Sequence, residues 1–474
     1  MAIRLHLRAF WCFISVLLLT VAMAMVWGPG ATARGGSVPL APPPGTLAVS
    51  LHASLPLHIT GPKVAPSDAQ CRAQIGVPCY SPQEIRQAYG LTPLLNKGYT
   101  GAGQTIVIID SYGSPTLEAD LAVFDADFGL PAPPSLKVLA PLGTVPFDPS
   151  NNDMLGWAEE TSLDVQWAHA MAPGAGIVVM TSPVSETEGV QGLPEFLQLE
   201  QYAVNHHLGK IVSQSWAATE ETLLTTSGRA VMAQFNAFYR QSTLRGVTFL
   251  GSTGDSGTAN VAVDGSTYPY PTVNFPAISP WVTAVGGTSL YASTTGAYQS
   301  ETVWNDGIGS ATGGGVSKAT AEPFYQRLLP RQDQRILAGQ RAVPDISFNA
   351  DPNTGVLVHL GFLGAGNNGY YIFGGTSEGS PAWAGVVADL NQRAGFALGF
   401  LNPTLYALGA AKLIYPAVLH DVTVGNNAQP PIAGFSAGAG WDAATGWGTP
   451  KLSGFADSFI RQAARSASSG LNGR

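Results

Sequence analysis

The chain has 474 residues, of which 45% are hydrophobic and 11% charged. That apolar share excludes an intrinsically disordered chain, and 31 acids against 23 bases exclude a strongly basic nucleic-acid binder. A single segment is long and apolar enough to meet a bilayer, so a polytopic membrane protein is excluded too, and the length supports one large or two ordinary domains.

That segment comes first. Arg4 and Arg8 precede almost unbroken hydrophobic sequence from Phe10 to Trp27, and Ala31-Thr32-Ala33 is a small-x-small cleavage site. Residues 1–33 read as a secretory signal, which makes the mature protein secreted and extracellular. Retained, the same segment becomes a membrane anchor. Cys12 lies in the signal, which leaves Cys71 and Cys79. An even pair in an exported chain suggests one local disulfide, against the alternative of two free thiols. Residues 34–80 read as a short arm, rich in Pro and Gly as far as about residue 68 and without a period.

A helix begins near Ser81-Pro82, with Pro in its first turn. From Thr105 short apolar runs alternate with helical stretches. Thr105–Asp110, Gly176–Met180, Lys210–Ser213 and Val247–Gly251 are β-branched and apolar on both faces, as buried parallel strands are. Leu155–Met171, Glu195–Leu208 and Gly228–Leu244 are long enough for crossover helices. The alternation predicts an α/β fold with a doubly wound, mainly parallel sheet flanked by helices. The core domain is expected over 81–457, followed by a flexible tail over 458–474 rich in Ala, Ser, Gly and Arg.

Glu160 and Asp164 sit four apart, which puts both carboxylates on one helix face. Two such acids repel, so one tends to hold a proton while the other ionises; a solvated acidic face is the plainer alternative. Asp255 follows an apolar strand and is flanked by Gly254 and Gly257. It is either a turn former or a ligand-site residue at the carboxyl end of a strand. Ser377 stands where small residues give way to an apolar helical stretch, as an N-cap or as a nucleophile beside free backbone N–H groups. Asp421 and Asp442, among glycines, offer oxygen ligands for a hard cation such as calcium, although ordinary surface turns use the same residues.

In chain order these motifs resemble the sedolisin family, the serine-carboxyl peptidases, from about Ser81 to Gly454. The helix with Glu160 and Asp164 runs into Ala172-Pro173-Gly174-Ala175. Val212-Ser213-Gln214-Ser215-Trp216, Gly254-Asp255-Ser256-Gly257, the stretch Phe275–Thr288 and Val343-Pro344-Asp345-Ile346-Ser347 follow. Gly-Thr-Ser-x-x-x-Pro around Ser377, then Asp421 and Gly-x-Gly-Trp-Asp, complete the set. The resemblance implies a subtilisin-like fold with a C-terminal calcium site. It implies Ser377 as nucleophile, Glu160 as general base, Asp164 as the carboxylate orienting that base and Asp255 as the oxyanion donor. It implies one structural Ca2+ held by the Asp421 and Asp442 side chains and the carbonyls of Val422, Gly438 and Gly440. A monomer acting on protein or peptide substrates, with no nucleic acid, completes the expectation. A Glu base and a protonated Asp donor work together only in acid, roughly at pH 3–5 from reference carboxyl values.

The chain departs from the family pattern at Gly374, where Ser is usual, and at Ala217, where Gly is usual. Residues 34–80 are also too short for the family's long prodomain, so they are either the arm of a compact form that folds without one or a reduced pro-segment. Two other readings compete. A subtilisin-type Ser-His-Asp peptidase would use Asp110, which ends a strand, but no histidine stands in a suitable helix start. A catalytically degenerate peptide-binding protein is the second alternative.

Overall fold

A computed structural model describes residues 64–307 and 309–468, with side chains to residue 465, and adds the backbone pairing of Leu57–His58. The chain divides into two units, 1–42 and 43–474, and every described residue belongs to the second. The signal expected over 1–33 and most of the arm lie outside the described residues.

The described end of the arm is structured. Helix α1 (Asp68–Ile75) begins at a capping box in which Ser67 and Gln70 bond each other's backbone. Cys71 and Cys79 are disulfide-bonded with Cα atoms 5.9 Å apart, and both are fully buried. Helix α2 (Pro82–Ala88) follows, capped by Ser81 and Glu84. At the other end a helix spans Leu452–Ser468. It crosses the boundary expected at residue 457, because Leu452, Phe455, Ala456, Phe459 and Ala463 bury one stripe. The residues 458–468 expected in the tail are therefore helix.

Eight strands make the central sheet. In chain order they are β1 (Thr105–Ser111), β2 (Leu136–Leu139), β3 (Gly176–Ser182), β4 (Ile211–Gln214), β5 (Thr248–Ser252), β6 (Thr283–Ala292), β7 (Tyr298–Val303) and β8 (Ile346–Asn349). They lie in the order β7-β6-β5-β4-β1-β3-β2, with β8 also on β6, and only β7 runs antiparallel to its neighbour. The β1 side chains show why the strands are apolar on both sides. Ile106 and Ile108 enter one core, and Val107 and Ile109 enter the other. Helices α3 (Asn152–Met171) and α6 (Thr376–Ala394) contribute to the first core. Helices α4 (Leu193–Asn205) and α5 (Thr226–Thr243) contribute to the second. This is a subtilisin-like α/β fold with a mainly parallel sheet. A hairpin of β9 (Val356–Leu360) and β10 (Gly369–Phe373) leads directly into α6, and Leu57–His58 pairs antiparallel with β10.

Candidate active site

Helix α3 starts where Asn151 Oδ1 accepts the N–H groups of Asp153 and Met154 at 3.0 and 3.3 Å, and it ends just before Pro173. Between these stops almost every residue is buried, including Glu160 and Asp164, both fully inaccessible. The pair is therefore not a solvated acidic face. Helix α6 is buried from Thr376 to Asn391. The two helices approach closely at Gly385, where a Cβ would stand 2.6 Å from Met171 Cβ and 2.9 Å from the Ala168 carbonyl.

Ser377 is the second residue of α6, after a turn in which Gly375 has φ +93°. That value is open to glycine and costly for other residues. Gly374 also has no room for a side chain. A Cβ there would meet Pro352 N at 2.5 Å and the Ala350 carbonyl as well, so any larger residue would require the 350–352 backbone to shift. Pro381 lies inside the helix, four residues after the nucleophile candidate. Lacking an N–H, it leaves the Ser377 carbonyl without its usual helical donor. Ser215 Oγ stands 3.4 Å from that carbonyl and donates to Asp164 Oδ1 at 2.8 Å, so one hydroxyl bridges the acid helix and the serine helix.

Three acids gather beneath the bridge. Burial, then the charges of Asp110 and Glu160, holds the Asp164 carboxyl well above the usual carboxylate range. Burial pushes Asp110, at the end of β1, up to about 7. Asp110 belongs to this acid group rather than to a histidine. His169 bonds Pro131 O and Asp125, His206 bonds Tyr202 O, His359 bonds Asp120, and His420 stacks on Tyr298. The sequence signal for Asp110 was its place at the carboxyl end of a buried strand.

Asp255 follows β5 and is 8% exposed. Its Oδ1 accepts two bonds of 2.8 Å, from Thr376 N and Thr376 Oγ1. Burial pushes this carboxyl up to about 6, against the pull of the two Thr376 bonds. Ser215, Trp216, Ala217, Ser252, Gly254, Asp255, Thr376 and Ser377 line one shallow cleft. Asp255 and Ser377 thus share a cleft wall, at the carboxyl ends of strands where ligand sites of such sheets lie. Ala217, the other departure from the family pattern, is one of the lining residues.

Asp421 and Asp442 occupy a separate loop cluster. Gly440 N donates to Asp421 Oδ1 and Oδ2 at 3.1 and 3.2 Å, and Gly438 N donates to Asp442 Oδ2 at 3.0 Å. Tyr415 Oη donates to Asp421 Oδ1 at 2.8 Å and lies 3.5 Å from the Gly440 carbonyl. Carboxylate and carbonyl oxygens are the donor set a hard cation takes, and Gly438 and Gly440 stand in open space, so these residues fit calcium. Among the described residues no three His, Cys, Asp or Glu side chains could hold a metal together, so a cation at this cluster would have to take carbonyl ligands as well.

No protein-family model matches the chain. Kumamolisin from Bacillus sp. (strain MN-32) is 37% identical over 393 residues, covering 81% of this chain and 65% of that protein. Sedolisin from Pseudomonas sp. (strain 101) is 34% identical over 55% of this chain and 43% of that protein. The chain thus spans less than two thirds of the length of these curated relatives. The solved structure of Pseudomonas sedolisin, a serine-carboxyl proteinase complexed with pseudo-iodotyrostatin, superimposes with a TM-score of 0.66. The identity is 29%, and 83% of this chain and 99% of that one are covered. The chain belongs to the sedolisin family of serine-carboxyl peptidases.

Proposed function

We propose that the chain is an exported, acid-acting endopeptidase in which Ser377 attacks the peptide carbonyl. Glu160 takes the Ser377 proton as the bond forms and returns it to the leaving amine. Asp164 orients Glu160, and protonated Asp255 donates to the oxyanion of the tetrahedral intermediate. Water then releases the acyl group by the same steps in reverse. The observation that carries the reading is the shared cleft of Ser377 and Asp255, with Asp164 tied to the serine helix through Ser215. Asp255, raised to about 6, is neutral at acid pH and able to donate. The histidines engaged elsewhere weigh against the Ser-His-Asp alternative.

Calcium held by Asp421, Asp442 and the carbonyls of Val422, Gly438 and Gly440 supplies rigidity to the C-terminal loops. Chelation is expected to lower the melting temperature, and an unchanged value would remove calcium from the account. Export rests on the signal-like segment at 1–33. Among the described residues no helix is long and apolar enough to cross a membrane.

The test is hydrolysis of a denatured protein across pH, wild type beside Ser377→Ala. The expected result is an optimum at about pH 3–5, falling as pH rises through about 6 where Asp255 ionises, and lost in the variant. Activity that peaks at neutral pH would sink the reading.

A further inference from the structure

Helix α6 has no side chain to cap its start, because Gly375 occupies the cap position. Asp255 takes that role from another element by accepting the Thr376 N–H at 2.8 Å. The Thr376 hydroxyl adds a second contact whose direction is fixed. Gly254 N donates to Thr376 Oγ1 at 3.0 Å, so the single hydroxyl proton is left for Asp255 Oδ1, also at 2.8 Å. The Thr376 carbonyl in turn accepts Ser252 Oγ at 2.9 Å. Threonine 376 therefore ties both sides of the Ser252–Asp255 turn.

From this geometry we infer that Thr376 is a positioning residue that selects which oxygen of Asp255 carries the catalytic proton. A carboxyl oxygen has two in-plane lone pairs. With both engaged by Thr376 N–H and O–H, Oδ1 cannot hold the acid proton, which goes to Oδ2 and is available to the oxyanion. Without the hydroxyl, Oδ1 regains an open lone pair, and the neutral acid divides between two protonation sites, one of them unproductive. The proposal rests on the peptidase reading above and deepens it.

The hydroxyl also favours the carboxylate, since hydrogen bonds to a charged acceptor are the stronger ones. Its loss should raise the Asp255 pKa. Among the described residues, the others lining the cleft are serines, a threonine, a glycine, an alanine and a tryptophan, none of which titrates in this range.

The experiment measures kcat and KM across pH for wild type, Thr376→Val and Thr376→Ser, with folding checked by thermal melting. Thr376→Val should lower kcat about tenfold, less than the loss of a whole oxyanion donor, with KM changed less than about threefold. Its basic limb should move up by about half to one pH unit. Thr376→Ser should restore both quantities most of the way. If valine does not fold, Thr376→Ala removes the same hydroxyl and is read in its place. A lower kcat with an unmoved basic limb would overturn the proposal, as would a serine variant no better than valine. A wild type with no acid optimum, or one indifferent to Ser377→Ala, would instead overturn the peptidase reading.

Discussion

At the residue scale the site separates carboxyl groups that are chemically alike. Asp164 is held well above the carboxylate range by burial and by its acid neighbours, and Asp110 is pushed to about 7 by burial. In acid both are neutral, so neither competes with Glu160, the proposed base, for the Ser377 proton. Asp255, outside this trio, is raised to about 6 and is neutral in acid, as the proposed donor role requires. Glu160→Gln keeps the shape and removes the base. The expected effect is a fall in kcat of about 10²–10⁴ with the fold intact, the usual contribution of general-base catalysis. A loss of less than about tenfold would pass the base role to another group.

At the element scale, the legible features were those with a local cause. The β-branched runs predicted β1, β3, β4 and β5 because a strand covered on both faces has no polar side to show. The spacing of Glu160 and Asp164 placed them on one helix face because 3.6 residues make a turn. Two helices near the ends went unforeseen because composition outweighed period. The Ser67–Gln70 capping box marks a helix inside the supposed arm, and Leu452, Phe455, Ala456, Phe459 and Ala463 repeat at helical spacing inside the supposed tail. The meetings that make the site were not legible from local pattern. Thr376 reaches Asp255 across 121 residues, and Ser215 reaches Asp164 across 51. The first joins α6 to the turn after β5 and the second joins the end of β4 to α3, so both depend on the order of the sheet. Family motifs pointed to Asp255 and Ser377 as site residues, yet not to the hydroxyls that link the walls.

At the scale of the whole molecule, burial sets the pH range in which the fold is stable. Burial raises Asp255 to about 6 and Asp110, Glu159 and Glu188 to about 7. It holds Asp164, Glu186, Glu200, Glu378 and Asp389 well above the carboxylate range. Above about pH 4 the folded chain keeps protons that the unfolded chain releases, so stability falls as pH rises. Their contribution is full below the unfolded values near 4 and is lost as pH passes 6 to 7 and beyond. One carboxyl raised by two units costs about 2.7 kcal/mol at neutral pH. The melting temperature should therefore be higher at pH 4 than at pH 7, by at least several degrees. A higher value at pH 7 would mean that these carboxyls are not held neutral in the fold. The proposed chemistry calls for the same acid setting, and its most direct test is covalent. A fluorophosphonate reacts with an activated serine by loss of fluoride, and the resulting phosphonate ester survives digestion and is located by mass spectrometry. The adduct is expected to map to the peptide containing Ser377, to form at about pH 3–5, and to be suppressed by Glu160→Gln. Labelling confined to neutral pH, or at a residue other than Ser377, would contradict the proposed chemistry.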